Sequence, residues 1–323
     1  MSPRVGGVGR CLRDRLATPA VVMVCASGPA YVAIGYLGRA MNPALLTMLR
    51  LGVCAAAMTV AVAVRSLRRR WSPLPGLRMR DLPAVTLCGV LGYAGYSVLL
   101  ALGQRTVPSG TTSLLVNAAP VITAAVGLVA LRERLTWQRI AGTCGGFLGT
   151  ALISFSGGGS LRTGPGALWI IAAALSLTGF VIVQQKLLAR TDPLSVTAAA
   201  SVVGALLSLV LLPWARTTGT VPILPGVLAV LVLGVLSTAV AYTAWAAALR
   251  TRGASGGALL MFVVPVISLV LGVLLLGEHP TPAALAGGVL AVLGVWFSDR
   301  GGRAAGAEPQ GVVKTKSSTG KVS

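Results

Sequence analysis

Arg50 is the residue of this chain whose position most needs a chemical reason. It sits inside the apolar stretch NPALLTMLRLGVCAAA, where insertion scales put the cost of burying a guanidinium at roughly 2.5 to 3.5 kcal/mol. A cation held there would attract a carboxylate or another anionic group. The same side chain could instead bond backbone carbonyls at a helix break, or extend toward water. The sequence leaves both interpretations open.

Groups that catalyse reactions or bind metals are scarce. The chain has one histidine, His279, five cysteines without a CxxC spacing, and seven acidic residues that fall in polar segments or at the ends of apolar ones. A zinc site or a disulfide framework needs a different cysteine pattern, and the sequence has neither a GxSxG motif nor an acid pair within an apolar segment. We therefore predict no enzyme activity, no metal site and no bound cofactor.

The composition predicts an integral membrane protein. Of the 323 residues, 55% are hydrophobic and 11% are charged, whereas soluble domains have about 25% charged residues. A helix crosses the hydrocarbon layer in about 20 mostly apolar residues, and ten segments meet that length to within a few residues. They are 17–38, 43–64, 82–102, 109–131, 138–156, 166–187, 194–214, 225–247, 254–276 and 281–298. We therefore predict an all-α integral membrane protein with ten transmembrane helices.

The basic residues predict which way the helices face. If the N-terminus is cytoplasmic, 22 of the 27 Lys and Arg residues fall on the cytoplasmic side, including the run RSLRRRW at 65–71. Such an excess is the usual orientation signal of short loops, and it explains the net charge of +20 without a nucleic-acid partner. We predict a multi-pass plasma-membrane protein surrounded by lipid, with both termini cytoplasmic and a disordered tail at 299–323.

The chain contains an internal duplication. At a constant offset of 145 residues, PVITAAVGLVALRERLT lies over PVISLVLGVLLLGEHPT, and GVLGYAGYSVLLALGQRT lies over GVLSTAVAYTAWAAALRT. Chance does not hold one register over so many residues. We therefore divide the chain into a cytoplasmic segment at 1–16, a first five-helix repeat at 17–157, an external linker at 158–165 and a second five-helix repeat at 166–298, followed by the tail.

Five helices are an odd number, so the second repeat should enter the membrane inverted relative to the first. Inverted repeats are a construction of secondary transporters, whose substrate site lies near the membrane midplane where the halves meet. Exchanging the conformations of the two halves would turn an outward-open cavity into an inward-open one. We therefore predict two inverted five-helix repeats that move a small-molecule substrate by alternating access.

These features resemble a known family, the EamA-type permeases of the drug/metabolite transporter superfamily. The resemblance rests on the repeated mid-helix proline, on the glutamate in LRERLTWQRIAG and LLGEHPTPAALAG, and on the arginine in NPALLTMLRLG. It covers residues 17–298 and implies export of small metabolites such as amino acids or drug-like compounds. Two alternatives stay open: an antiporter of sugar phosphates or nucleotide-sugars, which should need several cations in the second repeat, and a non-transporting membrane scaffold or sensor.

Polar and aromatic residues within the apolar segments are candidates for the substrate pathway. A hydroxyl or amide in lipid needs a hydrogen-bond partner and therefore faces the bundle interior or a wet cavity, although Tyr and Trp near helix ends also serve as interfacial anchors. Together with Arg50, the candidates are Tyr31, Thr47, Tyr96, Asn117, Gln184, Tyr242 and Trp245.

Pro120 and Pro265 lie at equivalent positions near the middle of the fourth helix of each repeat. A proline within a helix has no N–H to donate, so it leaves a carbonyl free one turn earlier, near Val116 and Met261. We predict that the two prolines bend these helices around the pathway and serve as hinges. The alternative is a static kink that only shapes packing.

The acid that follows each of these helices predicts a structural joint. Glu133 precedes Thr136, and Glu278 precedes Thr281, at the start of the next helix. Threonine is a favoured N-cap, and a carboxylate is stabilised near the free N–H groups and positive dipole end of a helix. We predict a clasp between consecutive helices rather than a gating or substrate role.

The stretch GTCGGFLG at 142–149 contains overlapping GxxxG spacings. Glycines at this spacing let two helix backbones approach closely. We therefore predict that the stretch packs within the bundle or at the contact of a homodimer.

Overall fold

The structure is a bundle of helices. It is a computed structural model that describes residues 18–69, 74–103, 106–107, 109–130, 136–156, 165–276 and 279–306. Within these residues the β-pairing is limited to one isolated antiparallel bridge between Met41 and Thr217. The predicted all-α class is therefore confirmed for the described part of the chain.

The first half of the chain, residues 18–156, is a series of α-helices with one 3₁₀ turn and one π-helix. In order they are α1 (Thr18–Ser27), α2 (Pro29–Leu37), α3 (Pro43–Arg69), a 3₁₀ turn (Met79–Asp81), α4 (Leu82–Cys88), the first π-helix (Gly89–Gly95), α5 (Tyr96–Gly103), α6 (Ser109–Val116), α7 (Ala118–Ala130) and α8 (Trp137–Ser156). The π-helix joins α4 to α5 without a turn, so residues 79–103 form one continuous rod.

The second half, residues 165–306, follows a similar order. It consists of α9 (Gly166–Leu188), α10 (Pro193–Ser208), a 3₁₀ segment (Leu209–Trp214), α11 (Ile223–Leu231), the second π-helix (Val232–Val240), α12 (Ala241–Ala258), a 3₁₀ segment (Leu259–Val263), α13 (Val264–Leu276) and α14 (Pro282–Gly306). Most helix bounds agree with the predicted apolar segments to within a few residues. The exceptions are segment 17–38, which is broken at Gly28, segments 225–247 and 254–276, which lie in one helical stretch, and the C-terminal end.

Seven helical stretches among the described residues are long and apolar enough to cross a membrane. One of them, Ile223–Leu274, has 52 residues, more than twice the roughly 20 needed for one crossing. It is kinked at Gly253, whose φ of 77° and ψ of 175° lie outside the helical region. The first apolar segment is interrupted at Gly28, so α1 and α2 are each short. These stretches make the chain a multi-pass membrane protein.

The outer surface of the bundle is apolar. Large hydrophobic side chains are widely exposed on it, among them Val129 at 79%, Leu168 at 73% and Leu274 at 72%. Soluble proteins rarely show contiguous apolar surface of this extent. Hydrocarbon is a suitable solvent for such side chains because helices satisfy their own backbone hydrogen bonds.

The duplication is visible in the backbone. The two π-helices occupy matching positions of the 145-residue repeat, and each packs against the other half. A Cβ on Gly89 would lie 2.6 Å from Val203 Cγ1 of α10, and a Cβ on Gly234 would lie 2.5 Å from Val53 Cγ1 of α3. The π-helix of each half therefore packs against the equivalent helix of the other half, α10 or α3.

Hydrogen bonds between turns agree with the predicted alternation of the helices. On the predicted outer side, the Asn42 amide donates to the Trp214 carbonyl at 2.6 Å, and the Gly166 N–H donates to Thr106 Oγ1 at 3.1 Å. An even number of predicted membrane crossings separates the two bonded residues in each case, so the prediction places both residues on the same side of the membrane. The two hydrogen bonds are therefore consistent with the predicted order of crossings.

The predicted cytoplasmic turns also contact one another. Arg65 pairs with Asp192, and Arg139 Nη1 donates to Ser255 Oγ at 3.1 Å. These partners again lie an even number of predicted crossings apart, and they connect the first half to the second.

Helices α8 and α14 pack with their backbones in contact. A Cβ on Gly142 would lie 2.4 Å from the Gly294 carbonyl oxygen, and a Cβ on Gly149 would lie 2.5 Å from the Ala291 nitrogen. The glycine stretch at 142–149 thus packs inside the bundle, between the two halves. A homodimer contact stays a prediction.

The threonines of the predicted clasp cap the helices that follow them. Thr136 Oγ1 accepts from the Arg139 N–H at 3.4 Å, and Thr281 Oγ1 accepts from the Ala284 N–H at 3.2 Å. Glu133 and Glu278 lie outside the described residues, so the clasp itself stays a prediction.

The last helix continues beyond the predicted membrane segment. The sequence predicts a tail from residue 299, whereas α14 extends to Gly306. Asp299 explains part of this extension, because its carboxylate accepts from Arg252 Nη1 at 2.8 Å. The remainder of the predicted tail lies outside the described residues.

Replacing Gly149 by alanine should destabilise the fold, while the same change at Gly145 should not. A Cβ at 149 meets the α14 backbone at 2.5 Å, whereas a Cβ at 145 has its nearest neighbour at 3.6 Å. We expect Gly149→Ala to cost about 1 to 3 kcal/mol, as overpacking usually does. Gly145→Ala should be neutral or slightly stabilising, because alanine favours helices. Thermal unfolding in detergent measures both variants, and equal midpoints would contradict the close contact.

Candidate functional site

A cavity of about 310 Å³ lies between the two halves of the chain. The first half contributes α1, α2, α3, α5 and the α6–α7 junction to its wall, and the second half contributes α9, the second π-helix, α12 and the start of α13. On α3, the lining residues all lie within 43–50, next to the outer-side contact of Asn42. Along α3 the cavity therefore lies toward the predicted outer side.

Six of the eight predicted pathway residues line this cavity. They are Thr47, Arg50, Tyr96, Asn117, Tyr242 and Trp245. The side chain of Tyr31 lies outside the described part of the structure. Gln184 does not line the cavity: it is fully buried in α9, and neither of its amide atoms has a hydrogen-bond partner among the described residues.

Arg50 is held in the cavity wall by a hydrogen bond to the other half. Its Nε donates to Thr238 Oγ1 at 2.8 Å, and the Thr238 hydroxyl donates to the Leu233 carbonyl at 2.7 Å. The ion pairs of the described residues all involve other arginines, so Arg50 has no acidic partner there. One edge of the guanidinium is thus fixed, and the Tyr242 hydroxyl lies within hydrogen-bonding reach of Arg50. A guanidinium has five N–H donors, so the remaining Nη N–H groups can bond a ligand.

Aromatic side chains form the wall beside this cation. Phe180 and Tyr242 both line the cavity, and Tyr93 packs behind them with ring centroids at 5.9 Å and 5.1 Å in edge-to-face geometry. Such pairs contribute about 0.5 to 1.5 kcal/mol each beyond the area they bury. The rings are therefore fixed by packing, and they offer an apolar surface next to a charge.

Sequence reasoning missed several lining residues, among them Ser97, Leu100, Phe180 and Ser237. The repeat carried a usable signal for two of them, because at the 145-residue offset Ser97 matches Tyr242 and Leu100 matches Trp245. Phe180 gave no such signal, since it is one apolar residue within an apolar helix.

The helices that contain the paired prolines are irregular just before them. In the first half, Asn117 interrupts the helix between α6 and α7, three residues before Pro120. In the second half, the 3₁₀ segment Leu259–Val263 precedes Pro265. Val116 and Met261, the positions at which each proline removes a donor, both line the cavity. The irregular backbone therefore lies on the cavity wall, where water or a ligand can satisfy it.

Ion pairs join the two halves on the side away from the cavity. Arg65 Nη1 donates to both oxygens of Asp192, at 2.9 Å and 2.8 Å, and its Nη2 donates to Ser195 Oγ at 3.0 Å. Asp192 also caps α10 by accepting from the Ser195 N–H at 2.9 Å. A second pair, between Arg190 and the fully buried Asp81, again connects the halves.

The described residues contain no group of three or more His, Cys, Asp or Glu side chains able to hold a metal ion. The part of the cavity wall that the structure describes contains no acidic residue, and Arg50 is its one charged side chain.

A multi-pass membrane protein with two equivalent halves, and with a cavity between them that offers one fixed charge, has the architecture of a membrane transporter. The profile of the EamA-like transporter family matches residues 18–155 and again residues 164–298. The chain therefore belongs to the EamA-like transporter family. The double match also confirms the duplication.

Two named relatives match most of the chain. A protein of Streptantibioticus cattleyicolor named "Probable terminal-alkyne amino-acid exporter" is 34% identical over 257 residues, which cover 79% of this chain and 83% of that protein. A Salmonella typhimurium protein named "Probable amino-acid metabolite efflux pump" is 29% identical over 67% of this chain and 78% of its own. A known crystal structure matches with a TM-score of 0.73 at 20% identity, covering 89% of this chain and 98% of that one. It shows the fold alone.

Proposed function

We propose that this chain exports small metabolites that carry a carboxylate, by alternating access between its two halves. The observation that carries the proposal is Arg50, a cation without an acidic partner among the described residues, in a cavity whose described wall is otherwise neutral. An unpaired guanidinium away from water is costly. Its position is explained if an anionic group of the substrate completes the pair. The names of the two relatives support amino acids as substrates and export as the direction.

A carboxylate fits this wall better than a phosphate does. Phosphate groups carry more charge and are usually held by several cations, whereas Arg50 is the one cation of the described cavity wall. This argues against a sugar-phosphate or nucleotide-sugar antiporter. A cavity between two equivalent halves likewise supports transport over a scaffold or sensor role.

The membrane arrangement belongs to the same proposal. Ten crossings follow if Ile223–Leu274 crosses twice around Gly253, if α1 with α2 forms one crossing, and if α8 forms another. The contacts between turns support this alternation, and the excess of Lys and Arg supports cytoplasmic termini in a plasma membrane. Labelling of single cysteines in the turns by an impermeant reagent decides the orientation. The mass of the purified protein in detergent decides whether it is a homodimer.

Arg50→Gln should abolish most transport without unfolding the protein. Hydrogen bonds to charged groups are worth about 1.5 to 3 kcal/mol, so we expect uptake of a carboxylated substrate to fall at least about tenfold. The measurement is counterflow of labelled amino acids in vesicles that hold the purified protein. Arg250→Gln is the matched control, because Arg250 is exposed and does not line the cavity. Unchanged transport by a folded Arg50→Gln protein would remove Arg50 from the substrate site.

The position of the cavity supports an outward-facing state. Along α3 it lies toward the predicted outer side, while the Arg65–Asp192 and Arg190–Asp81 pairs join the halves on the predicted cytoplasmic side. Opening toward the cytoplasm would have to break these pairs. We therefore infer that they hold the cytoplasmic side closed.

Asp192→Asn should shift the protein toward an inward-facing state. Asparagine keeps the N-cap of α10 but weakens the partly exposed ion pair to Arg65, worth about 1 kcal/mol, so we expect roughly a fivefold shift in population. External labelling of a cysteine placed at Thr47, in a chain lacking its own cysteines, should slow accordingly. Asp299→Asn is the control, because its pair with Arg252 lies within the second half. Equal labelling rates in both variants would count against the closing role of Asp192.

The hinge role of the prolines also remains a proposal. It is supported by the irregular backbone before Pro120 and Pro265, which lies on the cavity wall. Alanine at both positions restores the missing N–H and would straighten these helices. We expect the double variant to bind substrate but to turn over at least about fivefold more slowly, because opening and closing would cost about 1 kcal/mol more. Turnover equal to that of the unchanged chain would identify a static kink.

A further inference from the structure

The polar groups of the cavity do not follow the symmetry of the repeat. When α3 and α10 are aligned on their first prolines, Ala200 stands at the position equivalent to Arg50. At the 145-residue offset, Phe262 stands at the position equivalent to Asn117. Phe262 is fully buried and does not line the cavity, whereas Asn117 does. The two halves share a backbone, but Arg50 and Asn117 occur once each, as expected of residues that recognise a ligand with two different ends.

The orientation of the Asn117 amide is fixed by its own helix. Its Nδ2 donates to the Ser113 carbonyl at 2.8 Å, so Oδ1 is the amide atom left over. Within the described structure Oδ1 has no hydrogen-bond donor, and the side chain is only 6% exposed. The adjacent Val116 also lines the cavity, and Pro120 has no N–H to donate to its carbonyl. This part of the wall therefore offers acceptors without a matching donor.

Donors are gathered elsewhere on the wall. Arg50 bonds Thr238 through Nε and lies within reach of the Tyr242 hydroxyl, and its remaining Nη N–H groups are donors. A molecule with a carboxylate at one end and a donor group at the other would satisfy both parts of the wall.

We propose that Asn117 binds the ammonium group of an amino acid whose carboxylate is held by Arg50. This rests on the proposed function, and it adds the group that distinguishes amino acids from other carboxylates. Because the acceptors are neutral and the described wall has no acid, an amine without a carboxylate finds no counter-charge. A carboxylate without an amino group leaves the Asn117 oxygen unsatisfied. A site built to bond a polar group discriminates strongly against analogues that lack it.

Three probes of similar shape test this role in vesicles that hold the purified full-length chain. They are leucine, 4-methylpentanoate, which lacks the amino group, and 3-methylbutylamine, which lacks the carboxylate. Leucine suits the apolar and aromatic wall. We expect counterflow of leucine to exceed that of 4-methylpentanoate by at least about tenfold, because the unpaired Asn117 oxygen penalises the acid alone.

Asn117→Leu keeps the size of the side chain and removes the acceptor. It should reduce the preference for leucine over 4-methylpentanoate to about one, by slowing leucine alone. Asn117→Asp is closer still in shape and should increase uptake of 3-methylbutylamine several-fold, because a carboxylate pairs with ammonium. Phe262→Leu at the equivalent position should leave the ratio unchanged, and thermal unfolding checks that each variant folds.

Two results would contradict the proposal in different ways. If leucine is exchanged but its ratio to 4-methylpentanoate is the same in the unchanged chain and in the folded Asn117 variants, Asn117 does not bind the ammonium group and the proposed function stands. If neither leucine nor any other amino acid is exchanged by the unchanged chain, the proposed function itself fails, and this role with it.

Discussion

A polypeptide in lipid has no water to complete its backbone hydrogen bonds, and the rest of this structure depends on that constraint. Regular helices satisfy it on the outside of the bundle, where large apolar side chains face outward. Irregular backbone occurs on the inside. The second π-helix, the break at Asn117 and the 3₁₀ segment before Pro265 all contribute residues to the cavity wall. The cavity thus lies where the helices leave backbone groups that a ligand or water can bond.

Duplication supplies the framework, and we propose that departures from it supply recognition. The π-helices pack against α3 and α10 in equivalent, exchanged contacts, so the two halves have matched surfaces. Matched halves favour a mechanism in which each takes the conformation of the other. A binding site for an asymmetric molecule cannot be equally symmetric. Arg50 and Asn117 stand where the other half has alanine and phenylalanine, so they mark the asymmetric part.

Two kinds of contact join the halves, and they differ in how easily they break. Between α8 and α14 the backbones touch at glycines, and such close packing loses its dispersion energy with small displacements. On the predicted cytoplasmic side the halves are joined by Arg65–Asp192 and Arg190–Asp81. Arg65 and Asp192 are both partly exposed, so water can replace either partner at modest cost. Asp81 is fully buried, so separating it from Arg190 costs more. The glycine contact suits a fixed axis, and the ion pairs suit an interface that opens.

The sequence by itself determined the all-α membrane class, the duplication and six of the residues that line the cavity. Those features follow from segment length, from the constant register of the repeat and from the cost of polar groups in lipid. Each can be read from the order of the residues along the chain. Only the tertiary structure decided that Gln184 lies away from the cavity, that Phe180 lines it, and that Arg50 bonds Thr238 in the other half. Helix α9 is apolar on every side, so periodicity does not say which side faces the cavity. The rotation of a helix about its axis is set by the neighbours it packs against, and those come from distant parts of the chain.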